Sequence, residues 1–315
     1  MRHGFVKVAA ATPKIKVADT VYNTEQIRLL MTESAAWGAR VTVFPELCIT
    51  GYTCQDLFLQ EKLIAGAKDA LMQLAEASAA IPGIYFVGLP YEINGKLYNV
   101  AAAISDGQVL GMVPKSWIPN YNEFYEMRYF ASGAELSTDV TLPDGSEVLV
   151  DREQLFVCEQ MNKLKIGVEL CEDLWTPNPP SIAHALAGAD VIVNLSASNE
   201  ITGKSAYRKE LVCGQSARLV SAYIYASAGE GESTQDLVFS GHNLIAENGR
   251  LLAESKRFGY GVIYTEIDVE KLIAERRRMT TFATQDGYAE TSFELEPEET
   301  KLTRYIDPAP FCTGK

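Results

Sequence analysis

Three strand ends in this 315-residue sequence carry groups that together suffice to attack an amide. They are Phe44-Pro45-Glu46, Val113-Pro114-Lys115 and Glu169-Leu170-Cys171-Glu172-Asp173. In each, an apolar run passes into a polar, turn-prone segment. A Glu can take the thiol proton, the thiolate can attack the carbonyl carbon, and a Lys ammonium can stabilise the oxyanion of the tetrahedral intermediate. A cysteine in a strand is by default a small buried hydrophobe. Cys171 differs because it ends its strand at a polar step suited to a sharp strand-to-helix turn, where the Glu172 N–H can serve as an oxyanion donor. Glu46 follows a proline at the end of an apolar strand, so partial desolvation should raise its basicity. Taken singly, Glu46 and Lys115 read as solvated loop charges; the combination is what points to chemistry. Histidine is scarce as an alternative base, since only His3, His184 and His242 occur.

The elements that must present these ends follow from periodicity. Phe5-Val6-Lys7-Val8-Ala9-Ala10-Ala11 reads as a strand. Ile27, Leu30, Met31 and Trp37 recur at helical spacing over Thr24 to Gly38, and Val41 to Phe44 reads as a buried strand. A helix is expected over Gln60 to Ala80, then strands over Ile84 to Pro90, Lys96 to Ser105 and Gln108 to Val113, with hairpin turns at Asn94-Gly95 and Asp106-Gly107. The second half continues with strand Lys163 to Leu170, helix Ser181 to Ala187, strand Val191 to Leu195, helix Lys204 to Val220 and strand Ala222 to Ser227. A hairpin of Leu237 to Ala246 and Arg250 to Ser255 turns at Glu247-Asn248-Gly249, and strand Val262 to Ile267 follows. This is an α/β pattern without internal repeat or linker, and one domain with sheets packed together and helices outside is the economical reading. The polar tail after Thr280, with acidic residues clustered from Glu294 to Glu299, is expected to wrap the domain or lead onward.

With 47% hydrophobic residues the chain can bury a large core, and 28 basic against 41 acidic residues leave a net charge of −13. That charge repels phosphate backbones, arguing against nucleic acid or an anionic membrane as partner and for a small polar substrate. No apolar run has the length of a membrane span, and Met1-Arg2-His3-Gly4 lacks signal-peptide anatomy, so a cytoplasmic protein is expected. Cys48, Cys54, Cys158, Cys171, Cys213 and Cys312 contain no CxxC pair, so neither a metal site nor a disulfide framework is expected.

The segments Phe44-Pro45-Glu46-Leu47-Cys48-Ile49-Thr50-Gly51-Tyr52, Pro114-Lys115 with Tyr121-Asn122-Glu123-Phe124-Tyr125-Glu126, and Glu169-Leu170-Cys171-Glu172-Asp173-Leu174-Trp175 resemble the Glu, Lys and Cys motifs of the nitrilase (carbon–nitrogen hydrolase) superfamily. Within it, they and the stretches Asn194-Leu195-Ser196-Ala197-Ser198 and Gly229 to His242 are most similar to glutaminase domains of glutamine-dependent NAD synthetases. The likeness runs from about Val6 to about Ile267.

The resemblance implies a four-layer α-β-β-α sandwich forming a single domain, with residues 1–275 as the hydrolase and 276–315 as a C-terminal extension. It implies hydrolysis of L-glutamine to glutamate and ammonia through a thioester on Cys171. By motif position Glu46 is general base and acid, Lys115 with the Glu172 N–H forms the oxyanion site, and Glu123 orients Lys115. Tyr121, Glu172 and Tyr52 are placed near the substrate, with Ser198 and Lys204 near its carboxylate. Lys204 stands where some relatives have arginine, replacing a bidentate fork by a point charge. No SGGxDS-type phosphate loop occurs, so no cofactor is expected in this chain. ATP and Mg are expected only for a C-terminal ATP-dependent NAD synthetase domain, the implied partner toward which Pro310 to Lys315 would lead. A homo-oligomer is also expected. The alternatives are a stand-alone amidase, carbamoylase or nitrilase of the same superfamily, a papain-like Cys–His enzyme, and a non-catalytic interaction protein.

Overall fold

The computed structural model describes residues 4–161, 164–295 and 300–307. The chain begins with β1 (Phe5–Thr12), α1 (Thr20–Ala36), β2 (Val41–Val43), α2 (Glu61–Ser78), β3 (Ile84–Ile93), β4 (Lys96–Ser105) and β5 (Gln108–Pro114). The middle holds β6 (Ser137–Thr141), β7 (Glu147–Asp151), β8 (Gln154–Cys158), β9 (Lys165–Leu170), α3 (Glu172–Trp175) and α4 (Ser181–Leu186). It closes with β10 (Val191–Ser196), α5 (Lys204–Leu219), β11 (Ala222–Ser227), β12 (Leu244–Glu247), β13 (Arg250–Glu254), β14 (Gly261–Asp268), α6 (Val269–Arg278) and β15 (Ala289–Phe293).

The strands form two sheets. The first has eight, in the order β14-β1-β2-β3-β4-β5-β7-β6, and the second seven, β13-β12-β11-β10-β9-β8-β15. Their facing sides share one core, in which Val8, Val43, Phe86 and Val113 of the first sheet meet Phe156, Val168, Val193 and Ile224 of the second. The outer face of the first sheet is covered by α1 and α2 through Ile27, Met31, Leu71 and Leu74. On the second sheet Ala185 of α4 with Val212 and Leu219 of α5 do the same. The result is the expected four-layer α-β-β-α sandwich. Strands covered on both sides need apolar residues at successive positions, which is why β1, β2, β10 and β11 are continuous buried runs rather than alternating ones. Among the described residues no helix is long and apolar enough to cross a membrane.

The hairpin turns fall where expected. Asn94, Gly95, Asp106, Gly107, Asn248 and Gly249 all have positive φ, as type I′ turns require. Helix α1 starts four residues before the expected Thr24, because Asp19 accepts the Tyr22 N–H at 3.0 Å and caps it there. The expected strand from Leu237 forms only from Leu244. Gly241 turns the chain at φ 61 with its N–H on Ala228 O, leaving one bridge, Asn199 to Phe239, upstream.

Strands β6, β7, β8 and β15 and helix α6 were not anticipated. The boundary set at residue 275 falls inside α6, and the chain beyond it returns to the domain as β15, parallel to β8 at the sheet edge. Residues 300–307 tie down further: Thr303 and Arg304 bond Glu266 of β14, and Arg304 forms an ion pair with Glu247 of β12 at 2.8 Å. Lys163, the acidic residues within 296–299, and Pro310 to Lys315 with Cys312 lie outside the described residues.

Candidate active site

Parallel strands β2, β9 and β10 run in register within their sheets, so their C-terminal ends come to one edge of the sandwich. Glu46 follows β2, Cys171 follows β9, and Lys115 follows the antiparallel β5. The loop holding Glu46 is pressed onto β3 at Gly88, where a Cβ would lie 2.3 Å from Leu47 N, so only glycine permits this approach. Its far side is fastened by Glu232, which accepts the N–H groups of Tyr52 (2.7 Å) and Thr53 (3.0 Å). The Glu46 N–H crosses to the other sheet and donates to Ser196 O at 3.3 Å.

Glu46, Lys115 and Cys171 are all buried. The Lys115 ammonium donates to Glu46 Oε1 at 2.6 Å and to both oxygens of Glu126, at 2.7 and 2.8 Å. Glu46 Oε1 also accepts from Asn99 Nδ2 at 2.7 Å, while Oε2 is buried and accepts no hydrogen bond among the described residues. Burial opposes the charge on Lys115, but Glu126 and Glu46 outweigh it and hold the ammonium well above its usual range. Burial pushes Glu126 upward against the pull of Lys115, as expected where two carboxylates share one cation.

Cys171 occupies a sharp turn between β9 and α3, with φ 39 and ψ −98. Its N–H is held by Leu195 O at 2.9 Å and Asn194 Oδ1 at 3.2 Å. Burial, then the negative charge of Glu46, raises the thiol pKa, while Lys115 and Ser196 pull it down. Burial and Glu46 thus favour the protonated sulfur, for which attack calls for a base. The Glu172 N–H opens α3 and has no acceptor within that helix.

The second carboxylate differs from the expectation. Glu123 does not touch Lys115; its Oε1 accepts from Asn199 Nδ2. Glu126, three residues on, turns inward, and the Tyr52 hydroxyl donates to it at 2.8 Å. Tyr52 thus supports Glu126 from within the wall. Tyr121 donates to Glu172 Oε1 at 2.8 Å at the rim. Lys204 donates to Asn199 Oδ1 and lies 4.9 Å from the Trp175 ring centre; burial lowers its pKa, while Cys171, Glu123 and Glu172 oppose that shift and Arg208 adds to it. Ser198 is held by the fully buried Arg208 at 3.2 Å, a residue not anticipated, which also binds Asn199 O (2.9 Å), Glu200 (3.1 Å) and His242 Nδ1 (2.9 Å).

His184 lies instead between Val168 O and the Tyr288 hydroxyl, both at 2.9 Å, where burial lowers its pKa to about 4. Both of its ring nitrogens are thus engaged, as are those of His242 by Arg208 and Glu254, while His3 lies outside the described residues. Among the described residues no cluster of His, Cys, Asp and Glu is arranged to hold a metal.

This geometry agrees with what the chain resembles. The Carbon-nitrogen hydrolase family profile matches residues 7–277. The glutamine-dependent NAD(+) synthetase of Mycobacterium tuberculosis is 39% identical over 322 residues, covering 98% of this chain and 47% of that protein. The one from Aquifex aeolicus is 29% identical over 95% of this chain and 48% of its own length. The chain thus spans about half the length of the curated relatives it matches. Among solved structures, a glutamine-dependent NAD(+) synthetase from Cytophaga hutchinsonii superposes with a TM-score of 0.75 at 28% identity, over 84% of this chain and 43% of that one. An amidase of the nitrilase superfamily from Nesterenkonia shares the fold over 89% of this chain and 97% of its own, with a TM-score of 0.68 at 17% identity. The chain belongs to the carbon-nitrogen hydrolase family.

Proposed function

We propose that this chain hydrolyses L-glutamine to glutamate and ammonia through a γ-glutamyl thioester on Cys171. The observation that carries the reading is the Lys115 ammonium held between Glu46 and Glu126 beside a buried thiol. Glu46 Oε2 takes the thiol proton as Sγ attacks the carboxamide carbon. Lys115 meets the oxyanion by giving up one of its two contacts to Glu126, and the Glu172 N–H supplies a second donor. Collapse of the intermediate breaks the C–N bond, the proton passes from Glu46 to nitrogen, and ammonia leaves. Water then attacks the thioester with Glu46 again accepting a proton, and the thiol is restored.

Glutamine is favoured over a simple amide by its charged head group. In this reading Tyr121 and Glu172 would receive the ammonium, and Ser198 and Lys204 the carboxylate. The 39% identity to a glutamine-dependent NAD(+) synthetase supports the same substrate. The ammonia would serve ATP-dependent amidation of deamido-NAD, with ATP and Mg bound only by a synthetase domain.

Glutamate release with glutamine, set against a panel of simple amides, tests the substrate. Cys171→Ala is expected to abolish release while keeping the fold, and a reactive glutamine analogue should add its mass to Cys171 alone. Faster turnover of simple amides than of glutamine would assign a stand-alone amidase, and substantial turnover by Cys171→Ala would remove the nucleophile assignment.

A further inference from the structure

Asp173 touches none of the reacting atoms in this scheme, yet it bonds on both sides of the site. Its fully buried carboxylate accepts the Leu170 N–H at 3.1 Å, directly before Cys171. It also accepts the Trp117 N–H at 2.8 Å and the Ser116 N–H at 3.2 and 3.4 Å, directly after Lys115. β5 and β9 belong to different sheets, and hydrogen-bond ladders do not cross between sheets. The core between the layers is apolar packing, which is non-directional and by itself leaves the offset between two strand ends loosely defined. Directional bonds from one carboxylate to the backbone of both ends remove that freedom. Glu46 has its own crossing bond, to Ser196 O; Asp173 gives Lys115 the equivalent.

We propose that Asp173 is a positioning residue that sets the distance between the Lys115 ammonium and the Cys171 sulfur, by stapling the Ser116-Trp117 backbone of one sheet to the Leu170 backbone of the other. The proposal rests on the assignment of Cys171 as nucleophile and Lys115 as oxyanion partner. A carboxylate suits the task because both oxygens accept and the partners are all N–H donors. An asparagine of the same shape would turn an NH2 group toward one of them.

The test is Asp173→Asn, alone and with Lys115→Met. Kinetics are taken per competent site, counted by intact mass after labelling Cys171 with an electrophilic glutamine analogue. The expected result is a fall in kcat of about a hundred-fold, the cost of roughly an ångström of misplacement. KM should change by less than about threefold, and in the Lys115→Met background the further loss should shrink to a few-fold. An equal loss in both backgrounds overturns the proposal. So does an unchanged kcat per labelled site with only a lower melting temperature. Should Asp173→Asn not fold, amide hydrogen exchange on the wild-type chain decides. Ser116, Trp117 and Leu170 are expected to be protected together, and rapid exchange at Ser116 and Trp117 refutes the staple. That readout needs no turnover, so it stands even if glutamine proves the wrong substrate.

Discussion

Replacing Glu126 by Gln, beside the same change at Glu123, separates the carboxylate that holds Lys115 from the one that only borders the pocket. With the ammonium 2.7 Å from Glu126 Oε1, the gross attraction is about 6 kcal/mol at an effective dielectric constant of about 20. Most of this is offset by the desolvation of both groups. Glutamine keeps one acceptor for Lys115 and Tyr52, but its NH2 group stands where Oε2 lay 2.8 Å from the ammonium, donor against donor. What is lost is the excess of a charge-assisted over a neutral hydrogen bond plus that mismatch, about 3 kcal/mol, or about a hundred-fold in rate. The loss should appear in kcat if, as proposed, Lys115 meets the oxyanion and not the substrate's head group. Glu123→Gln retains an oxygen for Asn199 and should change kcat by less than about threefold. Glutamate release across a range of glutamine concentrations, on variants shown by melting to be folded, is the assay. A loss at Glu123→Gln equal to that at Glu126→Gln would refute the placement of the second carboxylate.

Two further perturbations probe the pocket and the fold. Lys204→Ala should raise KM for glutamine by about ten-fold or more while leaving an amide without the α-carboxylate unaffected, since only glutamine loses a charge-assisted contact; equal effects on both substrates would place Lys204 outside the pocket. Burial lowers the His184 pKa to about 4, from about 6.5 for an exposed imidazole, so between those values the unfolded chain binds a proton that the folded chain refuses. Its contribution to unfolding free energy is complete above the unfolded value and declines as pH falls, by about 2 kcal/mol between pH 7 and pH 5. His184→Gln should remove that part of the slope in urea titrations and leave turnover within about threefold; loss of activity would return the histidine to the mechanism.

The three strand ends were legible because each is an apolar run stopped by a polar residue, a pattern that survives without knowledge of tertiary contacts. The sandwich followed from strand-length and helix-length runs, and the three hairpin turns from Asn-Gly and Asp-Gly pairs. The exchange of Glu126 for Glu123 has a clear cause. Both lie in the long connection from Lys115 to Leu136, where the only helical turn is Glu126–Arg128, and no periodicity says which carboxylate faces inward. Tyr52 and Lys115, distant in sequence, decide it. Arg208 was hidden for a related reason: a cation in a helix with so many charges reads as solvated, and its partners Glu200, Ser198, Asn199 O and His242, which make its burial tolerable, come together only in the fold. Edge strand β15 alternates polar and half-buried residues too briefly to stand out from a tail, and β6 and β7 form a short hairpin of similar kind.

Glu46 and Lys115 extend from one sheet, whereas Cys171 with the Asn194 and Leu195 acceptors that hold its N–H extends from the other. Neither layer alone owns a reactive centre. A chain with only one sheet assembled carries an ordinary unactivated thiol or a carboxylate–ammonium pair with nothing to attack. The docking of the layers therefore works as a safety catch, coupling the onset of reactivity to completion of the fold. Regain of the proposed glutamine turnover during refolding should lag behind formation of either sheet and coincide with closure of the core between them, which would make that activity a clock for the chain's own final assembly step.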